Sequence, residues 1–332
     1  MAVTLRDVAA RAGVSPSAVS RVFTPGASVS AATRAKVEAA AAALNYRPSI
    51  LASALSTRRT KLIGLVSTNF QNPVFLEIFD RFTRGLQARA LRPLLVNLSD
   101  EMTLEAAVQM LRQYSVDGVI LASSTLPPDF PLAFAAAGLP VVHAFGRAAG
   151  RPGVHLVGID NRRAGQMAAQ TLLARGYRRL GFLGGPRAAT STEDRLAGFL
   201  DGAAACPGAT VETGFATAYA FDAGRAAMQA RLPSRVEAWF CGDDVLSMGA
   251  IGALAAAGLR VPQDVGILGL NDMEMAGWPT VNLTTIRQPI PQIIEAAIAR
   301  MAACLDGGDA PPVAQVFDCT IVERGTLRPL QP

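Results

Sequence analysis

The sequence predicts a small all-α helix-turn-helix head followed by an α/β body of two doubly wound parallel-sheet lobes. Three observations carry this. Residues 4–23, TLRDVAARAGVSPSAVSRVF, hold two short apolar faces at helical spacing around a Gly-containing turn. From Lys61 onward, runs of Val, Ile, Leu and Gly alternate with helical patterns, the texture of parallel sheets covered by helices on both faces. That alternation breaks near Gly158–Asn161 and so divides the body into two halves.

In the head, Thr4 is placed to cap a first helix, and Leu5, Val8, Ala9 and Ala12 share its apolar face. Gly13 suits the left-handed residue that ends a helix. Ser15 then caps a second helix with Pro16 at its first position. Ala18, Val19 and Val22 continue the apolar face, which leaves Ser17, Ser20 and Arg21 pointing outward. After a loop, TPGASVS, Ser30 caps a third helix from about Ala31 to Leu44, with Val37, Ala40, Ala41 and Leu44 on one face. Residues 1–60 hold eight Lys or Arg against two Asp or Glu, whereas the chain as a whole is only +5. All the excess positive charge therefore lies on the head, as phosphate contact requires, and the second helix is sized for a DNA major groove.

The next stretch, YRPSILASALSTRRT (46–60), reads as a linker in which Pro48 suits the start of a short helix. In the body, 62–67, 93–98, 118–123, 139–145, 154–159, 179–184, 238–242 and 265–270 read as buried strands. Helical stretches lie at about 75–90, 102–113, 162–175, 192–204, 222–231, 245–257 and 290–305.

Composition excludes several classes. No apolar run approaches the ~18 residues of a membrane helix, and Arg6, Asp7 and Arg11 interrupt any signal-peptide core. Cys206, Cys241, Cys304 and Cys319 show no paired or metal-like spacing and read as reduced thiols of a cytoplasmic protein. With His143 and His155 the only histidines, neither a His-rich metal site nor a Ser/His/Asp or Cys/His arrangement can be built. GFLGGP (181–186) lacks the spacing of a phosphate loop. No enzyme activity and no cofactor are expected.

The head residues quoted above, then VSAATRAKVEAAAAALNYRP, and in the body LIGLV, VDGVILA and LTTIRQP, resemble the LacI/GalR family of bacterial transcription regulators across nearly the whole chain. The resemblance implies a DNA-binding head at 1–46, a hinge helix at 47–60, and a periplasmic-binding-protein-like effector and dimerisation domain at 61–332. Within that domain the N-lobe takes about 61–159 and 288–316, and the C-lobe about 160–287 and 317–332. By position, Ser15, Ser20 and Thr33 would hold phosphates, with Thr4 and Ser30 beside them, while Pro16, Ser17 and Arg21 face base edges. Arg21 has the chemistry to grip guanine bidentately. In the hinge, Ala52 and Leu55 would meet the minor groove, Leu55 as a wedge that kinks it. Ser49 stands where the family often has Asn.

The resemblance also implies a ligand between the lobes, in agreement with the rule that open α/β sheets bind ligands outside the carboxyl ends of their strands. Polar residues just past strand ends are Asn69 with Phe70, Ser123 with Ser124, Asp160, Arg195, Asp243 with Asp244, and Asn271 with Asp272. Asp160 and Arg195 occupy the family's D-x4-G and R-x-x-G motifs; Asp243 replaces a frequent Asn, and Asn271 an Asp. Carboxylate, amide and guanidinium together suit a polyol, and Phe70, Phe75, Tyr219 or Trp278 offer ring faces for its C–H surface. Arg195 also suits a carboxylate, so a sugar acid stays open. Plain alternatives stand beside these roles: a helix N-cap for Asp160, a surface ion pair for Arg195, core packing for Trp278.

The expectation is a repressor of carbohydrate genes, bound as a homodimer to palindromic double-stranded DNA and released by a small sugar or sugar acid. A corepressor-dependent regulator, with a purine as one ligand type, and an activator are the alternatives; a ligand-binding protein without a DNA role is a more distant one. With no heptad helix after TLRPLQP, a dimer and not a tetramer is expected.

Overall fold

Two units make up the protein, residues 1–61 and 62–332. The computed structural model describes residues 3–24, 26–47, 59–68, 70–98, 102–127, 129–147, 153–307 and 311–330. In the first unit, α1 (Leu5–Ala12) opens with a reciprocal capping box between Thr4 and Asp7, which also holds the Asp7 carboxyl below the usual carboxylate range. Gly13, at φ 65°, ends α1, and Ser15 caps α2 (Pro16–Val22) by accepting the Ala18 N–H at 3.2 Å. Ser30 does the same for α3 (Ala31–Ala43). Val8, Val19 and Val37 meet at the centre with no exposed surface, ringed by Ala9, Val22, Ala40 and Ala41.

The second unit is a two-lobed α/β body, as the sequence predicts. The N-lobe sheet runs β11-β5-β4-β3-β1-β2, all parallel, built from β1 (Leu62–Ser67), β2 (Arg92–Asn97), β3 (Gly118–Ala122), β4 (Val141–Ala144), β5 (Val154–Ile159) and β11 (Ala314–Phe317). Between them lie α4 (Val74–Ala88), α5 (Leu104–Gln113) and α6 (Phe130–Ala136), and α11 (Ile290–Leu305) packs on the same sheet. The C-lobe sheet runs β12-β10-β9-β8-β6-β7, from β6 (Arg179–Gly184), β7 (Thr210–Phe215), β8 (Ala238–Cys241), β9 (Gly266–Asn271), β10 (Thr285–Arg287) and β12 (Thr320–Val322). Its helices are α7 (Asn161–Leu173), α8 (Thr190–Ala204), α9 (Phe221–Gln229) and α10 (Asp244–Ala256). The chain crosses between lobes three times, after β5, after β10 and between β11 and β12.

The C-lobe sheet departs from the all-parallel expectation at one edge, where β12 pairs antiparallel with β10 and makes the sheet mixed. A strand that arrives from the other lobe over two residues, Asp318 and Cys319, has no crossover helix to reverse it and enters the sheet from the opposite end. Strands β7, β10, β11 and β12 and helix α6 stand in addition to the elements read from the sequence. Among the described residues no helix is long and apolar enough to cross a membrane, and no group of His, Cys, Asp or Glu has a metal-site arrangement.

Two features of the C-lobe fix the polar groups that face the other lobe. Helices α7 and α8 cross at backbone contact. A Cβ at Gly198 would lie 1.8 Å from the Arg162 carbonyl oxygen, and one at Gly165 would lie 2.1 Å from that of Arg195. The R-x-x-G and D-x4-G motifs thus remove two side chains to bring Arg195 against α7. At the start of α10, Asp244 is fully buried; its carboxylate accepts the Thr285 hydroxyl at 2.6 Å and the Met273 N–H at 2.9 Å, which ties three elements together. Burial, with the charges of Asp243 and Asp272 adding to it, pushes its carboxyl up to about 7.

Each feature yields a test. Gly198→Ala would stabilise an ordinary helix by up to ~1 kcal/mol, but here overpacking should lower stability by about 1–3 kcal/mol. Urea unfolding gives the sign, and a stabilised variant would refute the backbone crossing. For Asp244 the folded state keeps the proton more tightly than the unfolded chain, which titrates near 4. Its contribution to stability should therefore fall as pH rises from about 4 to about 7 and stay flat above. Thermal unfolding of wild type and Asp244→Asn across that window should show a steeper slope in the wild type; parallel curves would exclude Asp244 as a source of it.

Candidate nucleic-acid interface and ligand cavity

Helix α2 presents Pro16, Ser17, Ser20 and Arg21 to solvent. The Arg21 guanidinium has no ion pair or side-chain hydrogen bond among the described residues, so its fork of donors is available to a groove. Ser15 is partly committed within the head: its hydroxyl caps α2 and shares a hydrogen bond with Ser17 at 2.9 Å. Ser30 and Thr33 are likewise paired at 2.8 Å, at the N-terminus of α3. Thr4 is held by Asp7. Ser15 and Ser30 thus stand at the N-termini of α2 and α3, where the partial positive charge of a helix end favours an anion. Arg6, Arg11 and Lys36, which the sequence pattern alone does not single out, are also exposed on the head. Ala52 and Leu55 of the hinge lie outside the described residues, as does Asn69.

Between the lobes of the body lies a cavity of about 30 Å³. The N-lobe side contributes Asn72, Val74, Phe75, Ile78, Ser124, Phe145 and Ile159; the C-lobe contributes Asn161, Arg195, Tyr219, Asp243 and Asn271; Gln288 and Ile290 come from the crossover after β10. The polar groups form three hydrogen-bonded clusters, around Arg195, Asp243 and Tyr219. Arg195, only 4% exposed, donates from Nε to Asn161 Oδ1 at 2.7 Å and from Nη1 to the Gly242 carbonyl at 2.5 Å. Asp243 Oδ2 accepts Asn72 Nδ2 and Asn271 Nδ2, both at 2.8 Å, while Oδ1 caps α10 through the Val245 N–H at 2.9 Å. Gln288 Nε2 donates to Asn271 Oδ1 at 2.6 Å. Tyr219 shares its hydroxyl with Thr192 at 2.8 Å and Ser191 at 3.2 Å.

Burial pushes the Asp243 carboxyl up, opposed by the Val245, Asn72 and Asn271 donors and by the charge of Arg195. The hydrogen-bond pattern favours the ionised form, because each oxygen faces donors and the Asn72 and Asn271 carbonyls are engaged elsewhere, with Val74 N–H and Gln288. Asn271 and Asp272 have φ of 127° and 58°, a left-handed turn that Asn and Asp tolerate well. It aims Asn271 into the cavity and Asp272 away, to Arg287 and Arg324.

Of the residues expected at the effector site, the cavity gathers Phe75, Arg195, Tyr219, Asp243 and Asn271. It leaves out four. Phe70 stacks on Phe79 at 4.8 Å. Ser123 is buried on the other side of the chain, bonded to Thr68 at 2.9 Å, and its neighbour Ser124 lines the cavity instead. Asp160 is an exposed N-cap that accepts the Arg163 N–H at 3.0 Å, and the next residue, Asn161, faces inward. Trp278 is 47% exposed after a 3-10 turn at Glu274–Gly277 and touches no part of the cavity. Asn72, Asn161, Phe145 and Gln288 are not picked out by sequence; Asn161 and Gln288 nevertheless sit inside recognisable motifs, DN-x3-G and TIRQP.

The head and the body each match a known family. Residues 4–49 match the model of bacterial regulatory proteins, lacI family, and residues 169–327 that of a periplasmic binding protein-like domain. The chain is 34% identical over 301 residues to the ribose operon repressor of Escherichia coli (strain K12), covering 89% of this chain and 91% of the relative. It is 34% identical to the HTH-type transcriptional repressor PurR of Proteus mirabilis (strain HI4320), covering 90% and 89%. The crystal structure of the Lac repressor dimer bound to operator and the anti-inducer ONPF matches with a TM-score of 0.86 at 26% identity, over 98% and 99% of the two chains. The CelR–cellobiose complex matches with a TM-score of 0.71 at 30% identity, over 98% and 99%. The chain therefore belongs to the lacI family of bacterial regulatory proteins and is a DNA-binding transcriptional repressor, not an enzyme.

Proposed function

We propose that this repressor binds a palindromic operator as a homodimer and is released by a small uncharged sugar or polyol that enters the inter-lobe cavity. The observation that carries the ligand class is that one buried cation, Arg195, and one buried carboxyl, Asp243, line the same cavity, each bonded to neutral partners and not to each other. Their charges balance, so a neutral ligand leaves no net charge in the cavity, whereas a carboxylate or phosphate would bring an uncompensated one. The amide and carboxylate groups of Asn72, Asn161, Asn271, Gln288 and Asp243 can each exchange a partner inside the set for a ring hydroxyl. Phe75, Phe145 and Tyr219 supply faces for C–H bonds. The names of the ribose operon repressor and the CelR–cellobiose complex agree with a sugar.

A cavity of 30 Å³ admits water-sized molecules only. A sugar ring must therefore part the lobes or re-sort the polar set, and this is the physical basis for coupling to the operator, typically ~1–3 kcal/mol and reciprocal. The small reach of a single head calls for a two-fold dimer reading two half-sites. A second reading, a purine-type corepressor that strengthens operator binding, draws on the same three aromatic rings.

Thermal unfolding of the full chain against neutral monosaccharides, polyols, sugar acids and purines separates these. A ligand at ~100-fold over its Kd should add ~2.7 kcal/mol. A neutral-sugar hit that also weakens binding to an operator selected from random duplexes supports the proposal; a response confined to sugar acids or purines would overturn the ligand class. For the head, Arg21→Ala should cost about 1–3 kcal/mol on the selected operator and much less on random DNA. Equal losses on both would remove Arg21 from base readout.

A further inference from the structure

The helix that carries Arg195 has no N-terminal cap of its own. The residue at the capping position of α8 is Ala189, whose side chain has no acceptor. The missing acceptor comes from the opposite lobe: the Ser124 carbonyl, just past β3, accepts the Ser191 N–H at 3.3 Å and the Thr190 hydroxyl at 3.2 Å. Arg147, just past β4 in the same N-lobe, grips the same turn at three points. Its Nε donates to Asp194 at 2.8 Å, and its Nη2 to Glu193 at 2.9 Å and to the Thr190 carbonyl at 3.1 Å. Asp194 directly precedes Arg195. A single partly exposed ion pair contributes little. Here one planar guanidinium bonds two carboxylates and a carbonyl in the first turn of a helix whose N–H is capped from the same side, so the contacts are mutually supporting.

We propose that Arg147 is a positioning residue of the effector site, acting from the N-lobe through α8. With the lobes together, the N-lobe completes the first turn of α8 and holds Arg195 in register for its bonds to Asn161 and Gly242; with the lobes apart, that turn loses its cap and its clamp at once. Lobe closure and the ordering of the Arg195 turn are then one transition, and a group outside the cavity sets its balance. The consequence for effector affinity rests on the cavity being the effector site, but the coupling itself does not, and its test uses no ligand.

Amide hydrogen exchange of the full-length protein reads the coupling directly. Arg147→Met keeps the aliphatic stem and removes the charge. Exchange in peptides covering 190–194 should quicken about five- to ten-fold, while peptides from the end of α8 (197–204) and from β8 stay as in the wild type. Raising salt from about 0.05 to 1 M should quicken the wild type in the same segment and leave the variant unchanged. The charge swap Arg147→Glu with Asp194→Arg should restore most of the protection that Arg147→Glu alone removes. Unchanged exchange at 190–194 in Arg147→Met would overturn the proposal. So would a loss spread evenly over the C-lobe, which would mark Arg147 as a general stabiliser, or a swap no better protected than the single reversal.

Discussion

A buried guanidinium constrains the body more than any other group. Arg195 is 4% exposed, so its charge and its planar donors must be met by acceptors placed around it. Those acceptors are neutral oxygens on two separate segments, Asn161 at the start of α7 and the Gly242 carbonyl after β8. The counter-charge stands one residue further on, at Asp243. Because Arg195 must reach α7, the two helices have to touch at the backbone, and this is why glycine occupies 165 and 198. Helix packing, strand ends and cavity electrostatics are thus consequences of one solvation problem.

The exchange of amide and carboxylate between positions 243 and 271 has a local physical basis. Asp243 caps α10, so its charge sits at the positive end of a 13-residue helix and accepts that helix's Val245 N–H. Asn271 stands in a left-handed turn at φ 127° and must both donate, to Asp243, and accept, from Gln288. An amide does both; a carboxylate does only one. The side chains at the two positions therefore fit their neighbours as a set, and changing either alone would leave two acceptors or two donors face to face.

Legibility in the sequence tracks burial. Strands such as LIGLV and GVILA, covered on both faces, announce themselves by continuous apolar runs. The strands that escape are of a different kind: β7 is TVETGF, mostly half-buried, β11 is exposed along most of its length, and β10 and β12 span three residues each. None has a run long enough to rise above a loop, and the antiparallel setting of β12 is fixed by the path of the crossover rather than by its residues. In the site, the strand-end rule locates the right segments but not always the right side chain. Ser123 and Ser124, and Asp160 and Asn161, are adjacent pairs in which the inward member is the second. Adjacent residues at a strand end point to opposite faces, and nothing in composition says which face closes on the cavity. Arg195, by contrast, is legible through the R-x-x-G motif, whose Gly198 the structure places at the helix crossing. Asn72 carries no such mark, since its partner Asp243 lies in the other lobe.

The two lobes supply different things to the cavity. The C-lobe holds the buried charges and could satisfy most of them alone, through Asn161, Gly242 and Val245. The N-lobe contributes contacts made across the gap between lobes: Asn72 to Asp243, the Ser124 carbonyl to two donors and Arg147 to three acceptors at the start of α8. A ligand that replaces the Asn72 amide with a hydroxyl keeps Asp243 solvated and removes one of the bonds that hold the lobes in register. Binding energy then enters as a difference between two lobe arrangements, because the charges remain satisfied in both. A cavity whose charges were satisfied in only one arrangement would be locked there, and no neutral molecule of ordinary affinity could shift it. On the proposed reading, Arg195 and Asp243, each satisfied within the C-lobe, keep that gap small enough for an effector to cross.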